Sequence, residues 1–103
     1  MKKEIKIVVY NNENRVFTLA TEKAEEFDEF TYYVGPCKGD EIRSYTLYDK
    51  NTGVAVCYGK TKKELIERYE SIKERYAKLR EDNYYKTLIN RYKELLEKEK
   101  EVK

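Results

Sequence analysis

Arg43-Ser44-Tyr45-Thr46-Leu47-Tyr48-Asp49-Lys50-Asn51-Thr52-Gly53-Val54-Ala55-Val56-Cys57-Tyr58-Gly59-Lys60-Thr61-Lys62-Lys63-Glu64 passes from strand chemistry to helix chemistry in one short run. Residues 43–48 and 54–58 are rich in Tyr, Thr and Val, which suit a pleated, half-buried surface. Between them Asp49 opens a turn and Gly53 closes it, the chemistry of a type I turn followed by a glycine bulge. After Gly59, Thr61-Lys62-Lys63-Glu64 reads as a capping box: Thr61 caps a helix and Glu64 reaches back to the Thr61 N–H. A hairpin that feeds directly into a capped helix points to the α+β class.

Upstream, Ile5, Ile7 and Val9 alternate within residues 4–10 and predict a strand with one apolar face. Asn11-Asn12-Glu13-Asn14 is a turn, because Asn tolerates left-handed backbone angles. Residues 15–19 return as a second strand. Thr21 then caps an expected short helix over 22–30, with acidic residues in its first turns and Ala24, Phe27 and Phe30 toward the core. Residues 31–34 read as a strand, and Gly35-Pro36-Cys37-Lys38-Gly39-Asp40 as a loop.

Downstream, Leu65, Tyr69, Ile72, Tyr76 and Leu79 recur at spacings of four and three, a narrow helical seam expected to be used up against the sheet. Tyr84, Tyr85, Leu88, Ile89, Tyr92, Leu95 and Leu96 form a second set. On one straight helix this set would centre about 170° from the first. The phase change falls at Glu81-Asp82-Asn83, so two helices, 61–81 and 83–100, are favoured over a single long one. The expected architecture is an antiparallel sheet of four to five strands, one short helix and a C-terminal helical pair. It forms a single domain over 1–103, sheet-rich over 1–59 and helical over 60–103.

Composition narrows the function classes. The 103 residues are 41% charged and 40% hydrophobic, with 14% aromatic. That aromatic share is too high for a disordered chain. No run of residues is apolar enough for a membrane helix, and the start, Met1-Lys2-Lys3-Glu4-Ile5, lacks the apolar block of a signal peptide. A cytoplasmic location is therefore expected, with no membrane partner. Residues 1–58 hold 8 basic and 10 acidic side chains, and residues 59–103 hold 14 basic and 10 acidic. A basic C-terminal half permits nucleic-acid contact without demanding it. With 16 Lys to 6 Arg and abundant Asn, Tyr and Ile, the chain favours AT-rich codons, which suggests an AT-rich bacterium or its phage.

The chain contains no histidine. That removes the commonest general base and metal ligand and every Ser–His or Cys–His pair. Gly59-Lys60-Thr61 has the ending of a phosphate-binding loop. However, five residues rather than four separate Gly53 from Gly59, and they have strand composition. Cys37 lies in a loop already explained by its turn residues, and Cys57 sits mid-strand among apolar neighbours; both are expected as free thiols. The acidic cluster Glu22 to Glu29 reads as a solvated helix face. No enzyme activity, metal or cofactor is expected.

Eleven tyrosines are many for this length. A tyrosine has an apolar body and a polar tip, which suits half-buried cores and interfaces alike. Tyr69 and Tyr76 belong to the first seam and are expected in the core. Of Tyr45, Tyr48 and Tyr58, at least one should be exposed. Tyr84, Tyr85 and Tyr92 mix with Arg91 and Lys93, the pattern of an interface anchor with a charged rim, and these five form the expected partner-binding site.

Tyr48 to Gly53 followed by Gly59 to Glu64 resembles the hairpin-then-helix segment of integrase arm-type DNA-binding domains, over roughly a sixth of the chain. That family carries basic side chains from its sheet into a DNA groove. The matching strand here, Val54 to Tyr58, has none, so no DNA-contacting residue is carried over. The expected function is a non-catalytic binding module, a small phage or mobile-element protein that binds a host protein and inhibits or adapts it. Anti-defence action such as CRISPR inhibition is one such class. The alternative is nucleic-acid binding through the basic C-terminal half.

Overall fold

The computed structural model describes residues 2–35 and 44–101. Five strands precede two helices: β1 (Lys3–Asn11), β2 (Val16–Glu26), β3 (Thr31–Val34), β4 (Tyr45–Asp49), β5 (Ala55–Gly59), α1 (Lys62–Leu79) and α2 (Asn83–Glu101). The sheet is a meander in the order β1-β2-β3-β4-β5, with every neighbouring pair antiparallel. The α+β architecture matches the reading of the sequence. The expected loop over 35–40 and the thiol of Cys37 lie largely outside the described residues. Cys57 is a free thiol.

The elements form for local reasons. In the Asp49–Gly53 turn, the Asp49 side chain accepts the N–H groups of Asn51 and Thr52, each at 2.8 Å. Gly53 takes the left-handed backbone angle, φ 68°, that the bulge requires. Thr61 caps α1 by accepting the Glu64 N–H at 3.1 Å. The Glu64 carboxylate closes the box one residue earlier than expected, on the N–H of Lys60 at 3.2 Å. The helices part where the phase change placed the break. Asp82 accepts the Tyr84 N–H at 3.0 Å and so starts α2.

The expected helix over 22–30 does not form. β2 runs unbroken to Glu26, paired with β1 from Lys3↔Ala24 to Asn11↔Val16. A helix would give up those inter-strand hydrogen bonds for a local propensity of only a few tenths of a kcal/mol per residue. Asp28, read as a helix-face acid, instead holds a turn: it accepts the N–H groups of Phe30 and Thr31, each at 2.9 Å, and the Thr31 hydroxyl at 2.7 Å. Ala24 faces the core as expected, but from a strand.

Alternation along β3 and β4 gives the sheet two buried faces. Leu47, Tyr33 and Tyr45 share one face and pack with Leu65, Tyr69 and Tyr76 of α1. Val34, Tyr32 and Tyr48 share the other and pack with Ile5, Ile7 and Ala24 of the first hairpin. Two tyrosines seven residues apart fix α1 onto its face. Tyr69 donates to Asp28 at 2.5 Å, and Tyr76 donates to Asp49. Each receiving carboxylate already holds a turn at a strand end, so one helix is registered on two points of the sheet.

α2 joins the rest at its far side. Tyr92 donates its hydroxyl to the Lys6 carbonyl at 2.7 Å, and Lys6 pairs with Glu99 at 2.7 Å. The Val8 N–H donates to the Gly53 carbonyl at 2.8 Å, so the β4–β5 turn also meets β1.

Candidate functional site

An open groove of about 320 Å³ lies where α1, α2 and the β4–β5 turn meet. Its walls are mostly apolar: Val54 and Ala55 from the sheet, Ile72 and Leu79 from α1, Leu88 from α2. Arg75 stands at its side, exposed, and makes no ion pair among the described residues. Leu79 lines the groove with 37% of its surface exposed. The first helical seam is therefore not wholly used against the sheet. Leu65, Tyr69 and Tyr76 are buried, whereas Ile72 and Leu79 turn into the groove.

The polar floor of the groove is Asp49, only 4% exposed. Its carboxylate receives the hydroxyl of Tyr85 at 2.7 and 2.9 Å, the hydroxyl of Tyr76, and the two turn N–H groups. It forms no ion pair among the described residues, and hydrogen-bond donors compensate the buried charge. Burial pushes the Tyr85 hydroxyl up to about 12; the Asn51 amide, donating at 3.3 Å, pulls it down, and Asp49 adds to the rise. Burial, followed by the bond to Asp49, holds the Tyr76 hydroxyl well above the usual range. Both phenols thus stay protonated as donors. Because the hydroxyls and the carboxylate of this cluster are committed to one another, it works as a rivet that ties α1, α2 and the β4–β5 turn together and sets the groove's width.

The structure does not gather the five expected site residues into one patch. Tyr84 is 61% exposed, one turn before Leu88 on the flank of α2 that lines the groove. Tyr85 is 5% exposed and bound to Asp49. Tyr92 reaches inward to Lys6. Arg91 lies on the ring of Phe17, 4.0 Å from its centroid. Lys93 is exposed and follows Tyr84 by nine residues. That spacing carries it about 180° around the helix. The pattern of apolar positions on α2 did find the helix face that meets the fold. It could not separate the tyrosines that are consumed there from the one that is free.

Sequence reading missed Arg75, Leu79 and the Asp49 rivet. Asp49 reads correctly as a turn residue, but its partners are 27 and 36 residues away, and no local pattern joins them. No three His, Cys, Asp or Glu side chains among the described residues converge as metal ligands. No helix among them is long and apolar enough to cross a membrane. No protein-family model and no solved structure matches the chain.

Proposed function

We propose that the chain is a non-catalytic binding module that acts in the cytoplasm by occupying a protein partner. The observation that carries this reading is the groove itself: an apolar trough lined by part-exposed Leu79 and by Arg75, which makes no ion pair among the described residues, with exposed Tyr84 one turn before Leu88 on α2. Exposed apolar side chains rimmed by charge suit an interface core and rim. The polar floor supports the same reading, because its hydroxyls and carboxylate are already bonded to one another. The AT-rich composition fits a phage or mobile-element protein that inhibits or adapts a host protein, with anti-defence action as one class.

Capture from a lysate of the source cell tests this, using tagged wild-type protein beside Leu79→Asp and Tyr84→Ala. Tyr84 is 61% exposed, so Tyr84→Ala should hardly move the melting temperature; Leu79 is only 37% exposed, so Leu79→Asp is assayed below its own melting transition. The expected result is one protein retained by the wild type and lost from both variants. Equal retention by all three would sink the groove as the site. Nuclease-sensitive retention that falls steeply with salt would favour nucleic acid, the reading to which the basic C-terminal half lends support.

A further inference from the structure

The groove is not the only opening along α2. A second cleft, of about 500 Å³, lies between α2 and the β1–β2 hairpin and is lined by Phe17, Leu19, Leu95, Lys98 and Glu99. Phe17, which lines it, forms an exposed cross-strand pair with Tyr10, ring centroids 5.1 Å apart. Its one carboxylate, Glu99, is taken by Lys6. Arg91 lies over the Phe17 ring, 4.0 Å from its centroid, and its buried Nε has no acceptor among the described residues. Neither Arg91 nor Lys98 makes an ion pair there.

The two openings share one flank of α2. Tyr84, Leu88, Arg91, Leu95 and Lys98 recur at spacings of four and three. Such spacing puts them in one stripe about 21 Å long at the helical rise. Leu88 enters the groove and Leu95 the cleft. The stripe is apolar and cationic, and its two cations are two turns apart with a leucine between them.

Resting on the reading of the groove as a protein-binding site, we infer that the occupant is an amphipathic acidic helix of the partner. Its large apolar side chains enter at Leu88 and Leu95, and two carboxylates about two turns apart meet Arg91 and Lys98. Charge complementarity selects the acidic residues. An arginine held over an aromatic ring is restrained there, and its planar guanidinium suits bidentate pairing with a carboxylate. Spacing selects the helix, since side chains seven residues apart on a facing helix repeat at the same interval. A nucleic-acid strand fits this stripe less well: its phosphates are closely spaced, whereas the two cations stand two turns apart with a leucine between them.

The test is selection from a random-peptide display library on the whole chain, followed by anisotropy titration of each recovered peptide. The expected peptides carry Asp or Glu seven residues apart with Leu, Ile or Phe between. Arg91→Ala should weaken them at least tenfold. Lys98→Glu should do the same and, lying on the exposed face, leaves packing intact even if Arg91→Ala lowers the melting temperature. Recovered peptides that need Leu79 but ignore Arg91 and Lys98 would overturn the acidic helix while leaving the groove in place. Recovery of no peptide would overturn the inference, as would binding of a labelled single-stranded oligonucleotide that depends on Arg91 and Lys98.

Discussion

Asp49 begins as a turn residue, and the tertiary fold makes it the meeting point of both helices. A buried carboxylate outside any ion pair is tolerated only while its donors are in place. Asp49→Asn keeps the shape but substitutes an amide N–H₂ for an acceptor oxygen, so a donor then faces a donor. We expect a loss of about 1–3 kcal/mol in urea denaturation. Tyr76→Phe removes one donor and should cost about 1.5–3 kcal/mol, as for bonds to charged groups. The pair shares one contact, so the double variant should lose less than the sum of the two. Additive losses would mean that Tyr76 and Asp49 act independently and that the rivet is misdescribed.

Among the elements, the β4–β5 hairpin has the least freedom to change. Gly53 holds φ +68°, and a Cβ there would stand 2.7 Å from the Tyr92 ring and 3.2 Å from Val8. Gly53→Ala therefore combines backbone strain with a clash against α2. We expect a loss above about 1 kcal/mol, seen as a lower melting temperature, whereas Gly→Ala at an unstrained site stabilises by about 0.4–1 kcal/mol. An unchanged melting temperature would show that α2 does not press on the turn. This hairpin and the capped helix after it were legible in the sequence because their signals span only a few residues. The break at Glu81-Asp82-Asn83 was legible because a change of helical phase is also local. Residues 22–26 were not: Glu-Lys-Ala-Glu-Glu are good helix formers, but propensity is worth only a few tenths of a kcal/mol per residue, and pairing with a strand some twenty residues upstream overrides it. The groove was not legible either, since Leu79 belongs to an apolar seam whether it is buried or lines an opening. Whether a seam residue meets the sheet depends on where the second helix lands, and that depends on Tyr85, Tyr92 and Gly53 acting at long range.

Taken whole, the molecule uses protonated phenols and ionised carboxylates as its internal fasteners, and this fixes its pH window. Tyr69, Tyr76 and Tyr85 have hydroxyls held above their ordinary value of 10.0. Above that value the unfolded chain loses these protons while the folded chain keeps them, so the folded state binds more protons. Their contribution is full below pH 10.0 and is lost as pH rises, through about 12 for Tyr85 and beyond for the other two. Asp28 has the opposite sign. Burial pushes its carboxyl up, but the bonds from Tyr69, Thr31 and Phe30 outweigh that and hold it below its ordinary 3.8. Its contribution is full above 3.8 and lost as pH falls through the lowered value. The urea midpoint should therefore be level between about pH 5 and about pH 9 and lower by about pH 11, the unfolding free energy falling by about 1.4 kcal/mol per pH unit for each phenol kept protonated. A midpoint unchanged at about pH 11 would contradict the assignment of these hydroxyls as buried donors. A different consequence follows from the two bonds that land on the outer side of β1, from Gly53 and Tyr92. β1 is the border strand of the sheet and carries Ile7-Val8-Val9-Tyr10, a stretch with nothing charged to discourage stacking against another chain. With the Val8 N–H and Lys6 carbonyl already occupied, an incoming strand finds the ladder interrupted in its middle. The last helix is thus also a guard against fibrillation, and a chain cut short before Tyr92 loses part of that protection even where its sheet still folds.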